Sequence, residues 1–261
     1  MKAIEVTGIN KSFGDLEVLD NISILVEKNH FVSILGPSGC GKSTLFNIIS
    51  GLQLPDSGRI LINGKDFKGK TGRISYMHQK DLLLPWKTVL DNVCIPLILK
   101  KIPLPDARKT AVGYFKSFGL EGFEDAYPSQ LSGGMRQRAA LLRTFLFASD
   151  IMMLDEPFGA LDAITRSKMH LWLMNICSKY QPSVLFITHD IDEAILLSDK
   201  IYLFTKRPAR IKKTIGVNIP RPRSQDVLTS SQFQALKAEV INLLYEEAEE
   251  NGNNLGNNMS L

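Results

Sequence analysis

The segment that most restricts the fold of this chain is GPSGCGKST, residues 36–44 of 261. It follows the apolar run 30–35 and precedes LFNIIS, so a GxxxxGK[ST] pattern stands between a predicted strand and a predicted helix. Glycines let the backbone wind closely around a phosphate, and a helix N-terminus attracts the same anion. The segment therefore predicts a phosphate-binding loop in an α/β protein. A glycine-rich turn that only caps a helix is the alternative.

Each position of this loop is a candidate nucleotide contact. The Lys42 ammonium is expected to reach the β- and γ-phosphates, and the Ser43 hydroxyl is expected to ligate Mg²⁺. Thiols at helix N-termini are often reactive, so Cys40 is either an alkylation site that bound nucleotide shields or an inert space-filling residue. The candidate residues are Gly36, Pro37, Ser38, Gly39, Cys40, Gly41, Lys42, Ser43 and Thr44.

A second motif, IMMLDEP at 151–157, ends an apolar run with two carboxylates. This run and SVLFIT at 183–188 suit buried parallel strands, joined by a helix predicted over 163–180. Ligands of open α/β sheets bind at the carboxyl ends of the strands. We expect Asp155 to hold the Mg²⁺ shell and Glu156 to orient or deprotonate an attacking water. An ordinary strand exit is the alternative.

A third motif, LSGGMRQR at 131–138, opens a predicted helix. Ser132 is a good N-cap, and the glycines Gly133 and Gly134 let a phosphate approach the helix N-terminus. A plain helix cap needs the serine but not both glycines. The motif follows Ser43 by 89 residues.

Together these motifs resemble those of the ATP-binding cassette (ABC) ATPases. GPSGCGKST is similar to their Walker A, IMMLDEP to Walker B and LSGGMRQR to their signature. FGALD, ending at Asp162, is similar to the D-loop, Gln79 in YMHQ to the Q-loop glutamine, and His189 in LFITHD to the switch histidine. All six stand in family order, and the resemblance spans roughly residues 2–220.

The resemblance implies an α/β fold: a RecA-like P-loop NTPase core with an N-terminal antiparallel β subdomain and an inserted α-helical subdomain. The ABC ATPase domain would then cover residues 1–245. Within it, 1–80 and 150–220 form the core and β subdomain, 81–149 the helical subdomain and 221–245 a C-terminal helix. The low-complexity residues 246–261 are expected to be a disordered tail.

The resemblance also implies a composite site with ATP and Mg²⁺ as cofactors. Two copies pair head to tail, so that Ser132 and Gly134 contact the γ-phosphate held by Lys42 of the partner subunit. His189 would contact the γ-phosphate and help to hold the attacking water, and Gln79 would sense Mg²⁺ and water and link the nucleotide to the helical subdomain. Phe13 in KSFG stands where the family keeps an adenine-stacking aromatic, although a core position is the alternative.

Residues 81–93, DLLLPWKTVLDNV, resemble importer cassettes of the nitrate, sulfonate and taurine group. There, an LLPW loop helps to form the groove for a helix of the membrane subunit; Leu82, Leu83, Leu84 and Trp86 in a helical-hairpin core are the alternative. RPARI at 207–211 fits the same group, with Ala209 replacing the usual glycine. No apolar stretch approaches the about 18 residues of a membrane span.

These features predict a peripheral subunit at the cytoplasmic face of the cell membrane. It would bind transmembrane permease subunits and serve an extracytoplasmic solute-binding protein indirectly. A small anion or related organic compound is the expected solute. The alternative is a soluble ABC ATPase of the iron–sulfur assembly type, without a transport role.

The net charge of +4 comes largely from one segment, 206–223, which holds seven basic and no acidic side chains. This basic stripe suits a solvated surface, a docking face near the membrane or a nucleic-acid footprint. Because basic and aromatic residues do not alternate in it, no nucleic-acid partner is predicted. The three cysteines form no close pair, so neither a disulfide framework nor a zinc site is expected, and a reducing compartment is the default.

Overall fold

The structure is a computed structural model that describes residues 1–148 and 150–256, with side chains described as far as residue 244. The strands of this part are β1 (Lys2–Phe13), β2 (Leu16–Glu27), β3 (Phe31–Leu35), β4 (Ser57–Ile62), β5 (Lys65–Asp66), β6 (Ser75–Met77), β7 (Ile151–Asp155), β8 (Ser183–Thr188), β9 (Lys200–Phe204) and β10 (Ile211–Gly216). The α-helices are α1 (Lys42–Ile49), α2 (Val89–Leu99), α3 (Leu104–Phe118), α4 (Gly133–Phe147), α5 (Ala163–Tyr180), α6 (Ile191–Leu197) and α7 (Ser231–Gly256).

One sheet has the order β10-β9-β3-β8-β7-β6 and is parallel except for β10. Strands β3, β7 and β8 are buried along their whole length because the rest of the fold covers both faces of the sheet. The parallel strands predicted from IMML and SVLFIT are therefore confirmed, with α5 as the connection between them. The carboxyl ends of β3, β7 and β8 bring the three segments that follow them to one edge.

A second, antiparallel sheet has the order β2-β1-β4-β5 and packs against the first. Side chains alternate between the two faces of a strand, so each face of the parallel sheet has its own core. Val32 and Ile34 of β3 join the core shared with the antiparallel sheet and α1. Phe31 and Leu35 join the opposite core, which α2 to α6 also form. This architecture agrees with the predicted RecA-like core and N-terminal antiparallel sheet.

Helices α2, α3 and α4 lie between β6 and β7 in the chain. Regular helix begins at Val89, where Thr88 accepts a hydrogen bond from Asp91 N, whereas the sequence predicts helical character from about residue 82. The preceding loop is not helical because Leu82 has φ 48° and Pro85 follows it. The buried Asn92 holds this loop, since its side chain bonds both the N–H and the carbonyl of Leu84. The predicted end of this segment, residue 149, lies outside the described residues.

The C-terminal helix differs from the prediction of 221–245. It begins at Ser231, where the Ser230 hydroxyl accepts a hydrogen bond from Phe233 N at 3.2 Å as an N-cap, and it continues to Gly256. The backbone is helical as far as residue 256, which conflicts with the disorder predicted from residue 246. Glutamate and alanine in the run EEAEE favour this helical continuation. Residues 257–261 of that predicted tail lie outside the described residues.

The basic stripe is not a free cationic face. Arg210 forms an ion pair with Asp20 at 2.5 Å, and Arg221 pairs with Asp199 at 2.9 Å. Arg223 is 6% exposed and donates to five backbone carbonyls, those of Ile195, Leu196, Ser198, Val217 and Ile219. Burial lowers the pKa of its guanidinium to about 10. Much of the stripe therefore ties the last strands to the rest of the molecule.

Across residues 1–148 and 150–256, no helix has both the length and the apolar character needed to cross a membrane.

Candidate active site

A cleft of about 490 Å³ lies at the edge of the parallel sheet where β3 and β7 end. It gathers the phosphate-loop segment, both motif carboxylates and an apolar wall from β1 and β2. The lining residues are Phe13, Leu16, Val18, Ser38, Gly39, Gly41, Lys42, Ser43, Thr44, Gln79, Asp155, Glu156 and Arg207. Phe13 is 49% exposed there, so it does not occupy the core position considered from the sequence.

The loop 36–44 approaches its neighbours too closely for side chains at two glycines. A Cβ added at Gly36 would lie 2.9 Å from Phe204 Cβ, and one at Gly41, where φ is 121°, would lie 2.8 Å from Val18 Cγ1. The loop leads into α1 at Lys42, whose buried ammonium donates to the carbonyls of Gly36 and Pro37, both at 2.8 Å. The lysine charge is thus held inside the curve of the loop, next to a helix N-terminus that attracts anions.

Asp155 ends β7 and is buried. Burial raises the pKa of its carboxyl above the ordinary range, and hydrogen bonds from the Ser43 and Tyr76 hydroxyls oppose that rise. Tyr76 Oη lies 3.3 Å from Asp155 Oδ2. A buried carboxylate beside a serine hydroxyl is an arrangement that gains from a nearby cation.

Glu156 follows in an unusual conformation, with φ 43°. Left-handed backbone is uncommon for residues other than glycine and clusters at functional sites. Here it places Glu156 Oε2 3.1 Å from His189 Nδ1 and 3.4 Å from Gln79 Nε2. Three predicted site residues, from the ends of three different strands, therefore meet at one carboxylate oxygen.

The donor set also fits Mg²⁺. Proteins usually hold this ion through one or two carboxylates together with waters and substrate phosphates. Ser43, Asp155 and Gln79 supply a hydroxyl, a carboxylate and an amide oxygen to the same cleft. Among the described side chains, those of residues 1–148 and 150–244, no three His, Cys, Asp or Glu form a metal cluster, so a metal here would depend on phosphate ligands.

Ser132, Gly133, Gly134 and Asp162 lie outside this cleft. Ser132 caps α4 by accepting from Met135 N at 3.3 Å, and Asp162 caps α5 by accepting from the N–H groups of Ile164 and Thr165. Hydrogen bonds from Thr165 lower the pKa of Asp162. A Cβ added at Gly134 would lie 3.1 Å from Thr165 Cγ2, so the two capped N-termini are neighbours. Together they form a second surface, separate from the phosphate loop of the same chain.

Two residues of the cleft region are not singled out by the sequence motifs. Tyr76 is signalled only by its strand, because β6 pairs with β7 and brings its hydroxyl to Asp155. Arg207 comes from the β9–β10 connection, and no local pattern marks it as a cleft residue. Cys40 is 2% exposed and does not line the cleft, so the alkylation expected of a reactive thiol lacks access.

A buried polar network lies behind His189. Thr188 Oγ1 donates to Glu193 Oε2 at 2.6 Å, and Glu193 Oε1 lies 2.8 Å from His170 Nε2. Asp190 N in turn donates to Thr188 Oγ1 at 2.9 Å. The residues on both sides of His189 are thus fixed to α5 and α6.

Replacing His170 by alanine is expected to destabilise the fold by about 3–5 kcal/mol, because it leaves the buried Glu193 carboxylate with Thr188 as its remaining side-chain partner. Chemical denaturation measures the effect. His30→Ala is the control, since its imidazole is 45% exposed and its loss is expected to change stability by less than about 0.5 kcal/mol. Equal stabilities of the two variants would contradict the structural role of the network.

The parallel sheet, the phosphate loop and the two strand-end carboxylates define a P-loop nucleoside triphosphatase. Comparison with known proteins gives the particular family: a model of the ABC transporter family matches residues 19–159. The chain belongs to this family and is an ABC ATPase.

Named relatives cover most of the chain. It is 41% identical over 242 residues to the aliphatic sulfonates import ATP-binding protein SsuB of Bacillus cereus, which covers 91% of this chain and 94% of that protein. It is also 41% identical over 235 residues to the formylaminopyrimidine import ATP-binding protein ThiZ of Halalkalibacterium halodurans, covering 88% and 91%. The solved dimeric bacterial ABC transporter cassette MJ0796 matches with a TM-score of 0.72 and 30% identity, over 83% of this chain and 100% of that one.

Proposed function

We propose that this chain is the ATP-hydrolysing subunit of an importer and that it works as a head-to-tail dimer with two shared ATP sites. The proposal rests on one observation: the predicted site residues lie on two separate surfaces of the chain. The cleft contains Lys42, Asp155 and Glu156, while Ser132 and Gly134 lie on a separate surface of the same chain. A second copy would bring that surface to the open side of the cleft. The similar solved cassette is itself dimeric.

In this proposal, different side chains of the chain have different roles in ATP hydrolysis. Lys42 and the loop N–H groups hold the phosphates, and Phe13 stacks on the adenine. Glu156 accepts a proton from water as the water oxygen bonds to the γ-phosphorus and the bond to the β,γ-bridging oxygen breaks, releasing ADP. His189 and Gln79 orient that water through their contacts with Glu156. Mg²⁺, held by Ser43, Asp155 and Gln79, would neutralise phosphate charge.

A second groove is an argument for a partner in the membrane. It has a volume of about 330 Å³ and an apolar lining that includes Leu82, Ile95 and Leu99. Beside it in the LLPW segment, Leu83 is buried, whereas Leu82 is 53% and Trp86 70% exposed. Part of the segment is therefore buried in the core, and part is an exposed apolar edge. Such an edge suits the docking of an amphipathic helix of a permease subunit. Such docking would hold the chain at the cytoplasmic face of the membrane.

The solute is proposed as a small anion or a related organic compound. The two import proteins named above act, by their names, on aliphatic sulfonates and on formylaminopyrimidine. A solute-binding protein and the permease would select among such compounds, with this chain supplying the energy. The import names also weigh against the iron–sulfur assembly alternative.

Ser132→Asp tests the shared site. Aspartate is as good an N-cap as serine, so α4 keeps its start and the fold keeps its stability. The added carboxylate would face the γ-phosphate bound by the partner subunit, and we expect ATP hydrolysis to fall at least about tenfold from like-charge repulsion. Ser132→Thr, which retains both the cap and neutrality, is the matched control. Hydrolysis by Ser132→Asp equal to that of Ser132→Thr would refute the contact.

Mixing two impaired variants tests whether the site is formed by two chains. Ser132→Asp keeps its own phosphate loop, and Lys42→Met keeps its own Ser132. A heterodimer of the two contains one intact composite site, whereas neither homodimer contains any. The mixture is therefore expected to recover hydrolysis that each variant lacks alone. Additive, unrecovered rates in a mixture shown to contain heterodimers would contradict the head-to-tail arrangement.

A further inference from the structure

Arg207 lines the cleft, although the sequence marks it only as the first residue of RPARI and not as a nucleotide contact. It follows β9 in the connection to β10 and reaches the phosphate loop with one edge of its guanidinium. Nε and Nη2 both donate to the carbonyl oxygen of Gly39, at 3.0 and 2.6 Å. Gly39 has φ +75°, so a residue with free access to left-handed backbone presents that carbonyl.

The connection that carries Arg207 is fixed to β2. Ala209 is fully buried and donates its N–H to the Val18 carbonyl at 2.9 Å, while Asp20 N donates to the Ala209 carbonyl at 2.9 Å. The Arg210 guanidinium adds the ion pair with Asp20. Strand β2 also supplies Leu16 and Val18 to the cleft wall. Arg207 therefore projects from a rigid base at the junction of the apolar wall and the phosphate loop.

Among the side chains that the structure describes, those of residues 1–148 and 150–244, no acidic group neutralises the charge of Arg207. The ion pairs formed by arginines in this part of the chain involve other residues. A guanidinium has five N–H donors, and the bonds to Gly39 use one edge. Arg207 lines a cleft in which Lys42 is the other basic lining residue and Asp155 and Glu156 are the acidic ones. A polyanionic ligand would supply the missing acceptors.

We propose that Arg207 is a nucleotide-binding residue, which fixes the Gly39 carbonyl and donates to the sugar–phosphate part of ATP and ADP. The proposal rests on the proposed ATPase function. Because Arg207 is bonded to Gly39, whereas Glu156 contacts Gln79 and His189, Arg207 is expected to contribute binding that is equal in the ground state and the transition state. Loss of such binding raises KM and leaves kcat unchanged.

Arg207→Gln is the test, in the full-length chain. We expect the dissociation constants of ADP and ATP, and the KM for ATP, each to rise about tenfold, as befits one exposed charge-assisted contact. The value of kcat is expected to stay within about twofold of wild type. Lys213→Gln is the matched control, because it removes the same charge from the exposed face of β10 and is expected to leave both constants unchanged.

Three results would overturn the proposal: unchanged affinity in Arg207→Gln, an equal loss in Lys213→Gln, or a fall in kcat without a change in KM. A thermal midpoint of the nucleotide-free protein checks that Arg207→Gln is folded. If that variant unfolds, Arg207→Lys takes its place. Lysine lacks the forked donor edge of the guanidinium, so wild-type affinity of Arg207→Lys for both nucleotides would overturn the proposal. Failure of the ATPase function itself is distinguishable, because the wild-type chain would then bind no ATP.

Discussion

Glu156→Gln is expected to lower ATP turnover by about 10²- to 10⁴-fold, the usual contribution of a general base, while ATP stays bound. Glutamine keeps the size of the side chain and can still accept a hydrogen bond from Gln79 Nε2, which lies 3.4 Å from Glu156 Oε2. It cannot take a proton from the attacking water. Because hydrolysis is what separates the two copies in the proposed cycle, dimers with ATP trapped between them are expected to accumulate.

Steady-state phosphate release measures the rate, and size-exclusion chromatography with light scattering in ATP and Mg²⁺ measures the dimer. Glu121→Gln serves as the control, since this glutamate is exposed in the loop after α3 and is expected to have no effect on either quantity. Turnover by Glu156→Gln close to that of wild type would remove Glu156 from the role of base. A slow variant that stays monomeric in ATP would instead contradict the link between hydrolysis and separation.

Some elements could be predicted closely because their signals are local. Helix α5 begins after the N-cap Asp162 and ends before Pro182, and β8 is an apolar run bounded by polar residues; both have the bounds that the sequence predicts. The phosphate loop is likewise a local pattern, because its glycines, lysine and serine are contiguous. The residues of a contiguous motif are close in space because they are neighbours in the chain. Its position in the fold is therefore known once the strand before it is recognised.

Other features depend on contacts between distant segments and leave no local signal. The meeting of Gln79, Glu156 and His189 needs three strand ends to lie at one edge, so the family resemblance predicts it but periodicity does not. Arg207 reaches Gly39 across 168 positions of sequence, so its role in the cleft emerges only from the packing of β9 against β3. In the sequence, Arg207 is one of the seven basic residues of the basic stripe.

The second large effect is expected for Lys42→Met. Lys42 as a whole residue is 5% exposed, and two unit charges about 4 Å apart near a protein surface attract by about 4 kcal/mol. Removing it is expected to weaken ATP binding on the order of 100- to 1000-fold. Methionine retains the buried aliphatic stem, so the packing of the loop against α1 should persist. The nucleotide-free protein loses the hydrogen bonds to Gly36 and Pro37, a change of about 1–3 kcal/mol in stability.

Isothermal titration with ATP and Mg²⁺ measures the affinity, with Lys65→Met as the control. Lys65 is exposed on β5 and does not line the cleft, so its replacement removes one positive charge from the molecule without touching the site. If Lys65→Met binds ATP like wild type and Lys42→Met does not, the loss is local to the loop and is not an effect of net charge. Wild-type affinity in a folded Lys42→Met would mean that the backbone N–H groups alone hold the phosphates. The loop would then remain a phosphate site, but Lys42 would no longer be one of its ligands.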